Sequence, residues 1–219
     1  MQYKGLIFDL DGTLADSLGF WGIAWDAFGK KYNNGASFCP SAEDEKAIRT
    51  MLMSDAMELI HRHYGFGKSG QELTDLATTL LRDFYENTVQ LKPGIREFLE
   101  YHYAKGVPMC IASASALDLV QLAAKHCEID SYFVRILSCS ELGMGKDKPD
   151  IYLYAASVLG TDVNETCVVE DSLIALRTAK AAGMMTIGIY DKYTPLQEEI
   201  AAVSDEYVAA GETIQKLIR

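Results

Sequence analysis

The chain lacks any hydrophobic run of the ~18 residues that a membrane-crossing helix needs, and residues 1–10 lack the cationic stretch and long apolar segment of a secretory leader. A cytoplasmic protein is the expectation. Cationic side chains are the scarcer sign, with 20 Lys and Arg against 31 Asp and Glu and a net charge of −11. Such a surface repels phosphate backbones and anionic headgroups, so neither nucleic acid nor a membrane is an expected partner, and an anionic ligand needs a local positive site. A bound metal ion is one source of it. Cysteine is sparse: Cys39, Cys110, Cys127, Cys139 and Cys167 are odd in number, widely spaced and without a CxxC pair, which argues against disulfides and zinc. Cys110 and Cys167 sit in apolar strand-like runs and read as small core residues. Internal repeats and low-complexity segments are also missing.

What is present is an ordinary globular balance, 49% hydrophobic and 23% charged over 219 residues, enough for one core plus a small accessory domain. Apolar runs of strand length occur at 3–8, 107–112, 134–138, 167–169 and 185–189. Amphipathic helical patterns at 93–105, 117–126, 151–159 and 173–182 alternate with them, the last stopped by Gly183. This alternation predicts an α/β fold, a doubly wound parallel sheet whose ligands lie at the carboxyl ends of the strands. Between residues 16 and 91 only helical patterns appear, near 20–31, 42–53, 55–63 and 72–88, and Lys92-Pro93-Gly94 marks the return to the sheet. The predicted domains are therefore a Rossmann-like core of 1–15 with 92–219 and a helical insertion of 16–91.

Chemistry-bearing residues cluster at predicted strand ends. Asp9-Leu10-Asp11-Gly12-Thr13 follows the first run, and two carboxylates one residue apart at a strand end can face one ligand. One can attack phosphorus while the other, protonated, delivers a proton to the leaving oxygen. Gly12 permits the turn and Thr13 adds a hydroxyl. Taken alone, such a pair more commonly caps a helix or lines a solvated turn. A calcium loop also contains D-x-D-G, but its twelfth position would be Phe20 where a bidentate Glu is required. After the second run comes Ser113-Ala114-Ser115, where a hydroxyl and backbone N–H groups can hold phosphate oxygens; Ser115 reads more simply as a helix cap. The segment 145–150 carries Lys146 and Lys148, and an ammonium there would neutralise a phosphate and its attacking carboxylate together. Glu170-Asp171 follows the fourth run, and magnesium needs only one or two carboxylates beside waters and a substrate phosphate.

The order and spacing of these four elements resemble the motifs of the haloacid dehalogenase superfamily, most closely its helical-cap phosphatase and β-phosphoglucomutase-like branch. The resemblance covers the chain outside the insertion. It implies that Asp9 becomes an aspartyl-phosphate and that Asp11 is general acid and base. Ser113, the Ala114 N–H and Lys146 would hold the phosphoryl group. Mg2+ would be bound by the Asp9 carboxylate, the Asp11 backbone carbonyl, Asp171, and Glu170 directly or through water. Matching Pro149-Asp150 to the end of the family's K-P-x-P-D pattern selects Lys146, with Asp147 in place of the usual proline, and leaves Lys148 a surface charge. Ala175 replaces a frequent glycine, a change that bears on helix packing.

The insertion corresponds to the family's small helical cap, a lid that excludes water and selects substrate. Trp21, Trp25, Arg49, His61, Arg62 and His63 are its specificity candidates, although a tryptophan pair at this spacing reads as a core stripe and the histidines as helix-end residues. The implied enzyme is a magnesium-dependent hydrolase of a small-molecule phosphomonoester, a sugar phosphate or phosphoglycolate-like ester, acting as a monomer or weak dimer. The alternatives are a sugar-phosphate mutase and a noncatalytic binding domain. The mutase carries histidine and valine where this chain has Trp21 and Thr13, and a binding domain should have lost at least one of Asp9, Asp11, Lys146 and Asp171. A dehalogenase has no need of an acid at Asp11.

Overall fold

The structure, a computed structural model, describes residues 3–48 and 51–218, so Arg49 lies outside the described residues. The chain divides into two compact units, Met1–Leu18 with Val89–Arg219, and Gly19–Thr88.

The first unit is built on six strands, β1 (Gly5–Phe8), β2 (Met109–Ser113), β3 (Arg135–Ser138), β4 (Thr166–Glu170), β5 (Met185–Ile189) and β6 (Glu206–Val208). All neighbouring pairs are parallel and the spatial order is β3-β2-β1-β4-β5-β6. Parallel strands need long crossovers, and helices supply them on both sheet faces. The central strands are accordingly apolar except for polar residues at their ends, and β1, β2 and β4 are buried at every position. Alternation along β1 sends Ile7 to one face, where Cys110, Val168 and Tyr152 share its cluster, and Phe8 to the other, where it meets Phe98 edge-on at 6.2 Å. Ala175 is part of the Ile7 cluster, so the residue that stands for the frequent glycine is a packing residue.

The second unit holds four helices, α1 (Phe20–Tyr32), α2 (Ala42–Ile48), α3 (Met53–Tyr64) and α4 (Gly70–Asn87). In the first unit follow α5 (Ile95–Ala104), α6 (Leu117–His126), α7 (Cys139–Leu142), α8 (Asp150–Leu159), α9 (Leu173–Ala181) and α10 (Gln197–Val203). Helix α5 starts two residues after Pro93, because Gly94 turns with φ 83° in the left-handed region. The sequence pattern misses α10 and β6, a seven-residue helix and a three-residue strand too short to display a period. Among the described residues no helix is long and apolar enough to cross a membrane.

The described candidates in the helical unit all find partners within it. Trp21 stacks on Trp25 at 5.1 Å, and Trp25 is buried, as a core stripe requires. His61 Nδ1 lies 2.7 Å from the Phe66 carbonyl oxygen, His63 Nδ1 lies 3.0 Å from Asp44 Oδ1, and Arg62 pairs with Glu58 one turn away.

His102 on α5 is buried among Tyr3, Phe98 and Tyr101, and neither ring nitrogen has a hydrogen-bond partner among the described residues. Burial, with a smaller contribution from the Lys105 charge, lowers its pKa to about 4. The unfolded chain therefore binds this proton first, and the stability that neutral His102 contributes is lost as the pH falls from about 6.5 to about 4. Replacing His102→Phe removes that loss: by about pH 5 the variant should gain about 2 kcal/mol relative to wild type, compared with the difference at about pH 7.5. Urea unfolding at the two pH values measures it, and an unchanged difference excludes the buried neutral histidine.

Candidate active site

Strand order reverses direction at β1, between β2 and β4, and in such sheets ligands bind beyond the carboxyl ends at this point. The register pairs Phe8 with Val169, so Asp9 and Glu170 leave the sheet side by side. The Asp9 N–H donates to the Val169 carbonyl at 3.0 Å, which fixes that exit. Gly12 then turns with φ 82°, and a Cβ there would stand 2.6 Å from Asp171 Oδ2. Glycine is required at this position both for the backbone angle and for the closeness of the second acid.

Asp9, Glu170 and Asp171 are buried, and one carboxylate oxygen from each lies within 4.8 Å of the others. Lys146, from the loop between α7 and α8, donates to Asp9 Oδ1 at 2.5 Å and to Glu170 Oε1 at 2.6 Å. The other Glu170 oxygen accepts from the Asp171 and Ser172 N–H groups, both at 3.1 Å. Lys148 is exposed, and only Lys146 of the two reaches the acids. Asp171 Oδ1 accepts from Thr13 at 3.4 Å and Oδ2 from Thr194 at 2.5 Å.

Ionisation is held in tension here. Burial lifts the Asp9 carboxyl well above the usual carboxylate range against the pull of Lys146, and the charges of Glu170, Asp171 and Asp11 add to the lift. Burial, followed by the Glu170 charge, pushes Asp171 up to about 7. Burial also opposes the Lys146 ammonium, but the facing Asp9 and Glu170 carboxylates outweigh it and raise its pKa.

Asp11 stands apart from this group of oxygens. Its Oδ1 accepts from Ser17 at 2.7 Å and its Oδ2 from Ser115 at 2.8 Å. Ser115 is therefore not the cap of α6, whose N-cap is Ala116; its hydroxyl is used on the acid and its N–H donates to Ser113 Oγ at 3.1 Å. Ser113 is buried at the end of β2 and Ala114 is exposed beside it. The residues that sequence reasoning missed are Ser17, Thr194 and the ion pair of Lys92 with Asp191. Each is a small or charged residue in a loop, and no spacing links it to the acids it serves.

The donors in the acid group are oxygens only, and three carboxylates against one ammonium leave a buried excess of negative charge. That set fits a hard divalent cation and suits neither zinc nor copper, which favour nitrogen and sulfur ligands. A parallel α/β core thus carries a lysine-bridged acid group at its topological switch point, where enzymes of this architecture place their sites. The family model of haloacid dehalogenase-like hydrolases matches residues 3–183, and the chain belongs to that family. It is a hydrolase.

Among its relatives, Protein CbbY of Rhodobacter capsulatus is 28% identical, covering 99% of this chain and 100% of that one. Hexitol phosphatase A of Escherichia coli is 27% identical over 86% of this chain and 84% of its own length. The crystal structure of CbbY from Rhodobacter sphaeroides in complex with phosphate is similar in fold, with a TM-score of 0.75 at 23% identity over 94% of each chain.

Removing the bridging ammonium tests the electrostatics. In metal-free buffer, Lys146→Met should cost about 3 kcal/mol at about pH 7.5, because it strands two buried carboxylates. A buried carboxyl with a raised pKa favours the fold below its unfolded pKa, and that benefit is lost as pH rises through the folded value. The deficit should therefore shrink toward about pH 5, as Asp9, whose pKa burial raises, takes up a proton. Chemical denaturation at both pH values measures this, and a deficit independent of pH rules out the charge account.

Proposed function

We propose that this hydrolase is a magnesium-dependent phosphatase of a small-molecule phosphomonoester, acting through an aspartyl-phosphate on Asp9. The observation that carries the reading is Lys146 joined to both Asp9 and Glu170, with Asp171 completing the acid group at the strand ends. An anionic nucleophile meets an anionic ester only where positive charge offsets both.

In the first half-reaction an Asp9 oxygen bonds to phosphorus as the ester P–O bond breaks in line, and Asp11 gives its proton to the departing alcohol. In the second, Asp11 takes a proton from water, the water oxygen attacks phosphorus, and the Asp9–phosphorus bond breaks to release inorganic phosphate. Asp11 must exchange its Ser17 and Ser115 contacts for the leaving oxygen to do so. Lys146, the Ser113 hydroxyl and the Ala114 N–H bind the oxygens of the transferring group. Mg2+ would be held by Asp9, Asp171, the Asp11 carbonyl and Glu170, and when bound it supplies charge neutralisation for the phosphoryl oxygens.

A sugar phosphate or a phosphoglycolate-like ester is the proposed substrate, and the relative named hexitol phosphatase supports the former. Residues 16–91 are proposed as the cap that chooses among such esters. The five free cysteines, four of them buried, are compatible with the reducing cytoplasm, where we place the enzyme as a monomer or weak dimer.

Asp9→Asn should reduce phosphate release from p-nitrophenyl phosphate and from a panel of sugar phosphates by more than about a thousandfold, while thermal unfolding stays cooperative. EDTA should abolish wild-type turnover and added Mg2+ should restore it. Turnover that survives in Asp9→Asn refutes the nucleophile.

A further inference from the structure

Asp171 is held by a loop beyond the residues that match the family. The loop, residues 190–196, joins β5 to α10, and Thr194 Oγ1 donates to Asp171 Oδ2 at 2.5 Å, a far shorter contact than the 3.4 Å from Thr13. A carboxylate that must face a ligand loses rotational freedom only if its oxygens are fixed, and hydrogen bonds to metal-binding carboxylates do this.

The loop is itself tied down from within. Asp191 is buried, its Oδ2 pairs with Lys92 Nζ at 2.7 Å and its Oδ1 accepts from the Tyr193 N–H at 2.8 Å. Lys92 also donates to the Tyr190 carbonyl at 2.8 Å. Gln197 donates to the carbonyls of Asp191 and Thr194 at 3.0 and 2.7 Å, and its own oxygen accepts from Tyr207 on β6 at 2.7 Å. Leu196 is left-handed at φ 63°, a conformation costing a non-glycine residue about 1 kcal/mol and kept only where surroundings impose it. A cavity of about 370 Å3 bordered by Lys92, Tyr190 and Asp191 lies along this flank. The ion pair and hydrogen bonds thus help to set the loop's position.

We propose that Thr194 is a positioning residue for Asp171, holding its carboxylate in the acid group, and that the buried Lys92–Asp191 pair fixes the loop that carries it. The proposal rests on the reading of the acid group as the metal site.

The test is Mn2+ binding to the substrate-free protein, followed by electron paramagnetic resonance, beside the rise in Tm on adding Mg2+. Thr194→Val should weaken Mn2+ binding about tenfold, Thr194→Ser should restore it to within about twofold, and Lys92→Met should weaken it comparably to the valine variant. Thr194→Ala, which adds no bulk, reads the same loss if valine prevents folding. At saturating Mg2+ the valine variant should regain most of its kcat, with KM unchanged. If valine and alanine variants bind Mn2+ as tightly as wild type, the proposal fails and the metal-site reading stands. If Lys92→Met binds as tightly as wild type, the part assigned to the ion pair fails. Wild type without Mn2+ binding, or Asp171→Asn binding as well as wild type, overturns the metal-site reading and this proposal with it.

Discussion

One ammonium between two buried carboxylates governs this molecule. Lys146 reaches Asp9 and Glu170 from a loop distant in sequence from both, and it is the cation in direct contact with these two acids. Taking such charges out of water costs several kcal/mol for each ion, and the mutual attraction offsets this only when geometry is good and the remaining lone pairs are satisfied. Glu170 meets that condition through two backbone N–H groups. Asp9 and Asp171 do so less completely, and their raised pKa values record the deficit. A site left short of positive charge is prepared to receive more of it.

The sheet makes this arrangement possible. Parallel strands present all their carboxyl ends on one edge, and the adjacency of β1 and β4 brings the first acid-bearing turn beside the last. Short side chains and one glycine complete the convergence: Gly12 has no Cβ where Asp171 needs space. The apolar strands behind them are buried on both faces, so the acids project from a rigid base while their partners come from loops.

Much of this was legible in the chain because the signals are local. Apolar runs of strand length with acids at their ends mark Asp9, Glu170 and Asp171, and a long stretch with helical periodicity and no strands marks the helical unit, which the structure bounds at Gly19–Thr88 where the pattern suggests 16–91. The resemblance to a family pattern was needed to prefer Lys146 over Lys148, since both are lysines before a helix. Loop partners escaped for a different reason. Thr194 and Ser17 are common polar residues whose role depends on where a turn places one oxygen, and hydroxyls bear no period. Ser115 illustrates the same limit: its position before α6 suggests a cap, whereas the tertiary fold gives its hydroxyl to Asp11. Helix α10 and strand β6 were too brief for pattern reading, and they owe their existence to packing on α9 and pairing with β5.

Gly5 lies beside Thr166 in the sheet, whereas the helical unit is one continuous stretch of chain. On a ribosome, the first strand emerges long before its neighbour β4 has been made, and contacts across such a separation form slowly. The helices can organise from near-neighbour contacts in the meantime. Asp9 thus gains Glu170 and Asp171 as neighbours only once the late strand has been made. A nascent chain released before that point carries Asp9 without the two acids that stand beside it in the finished fold.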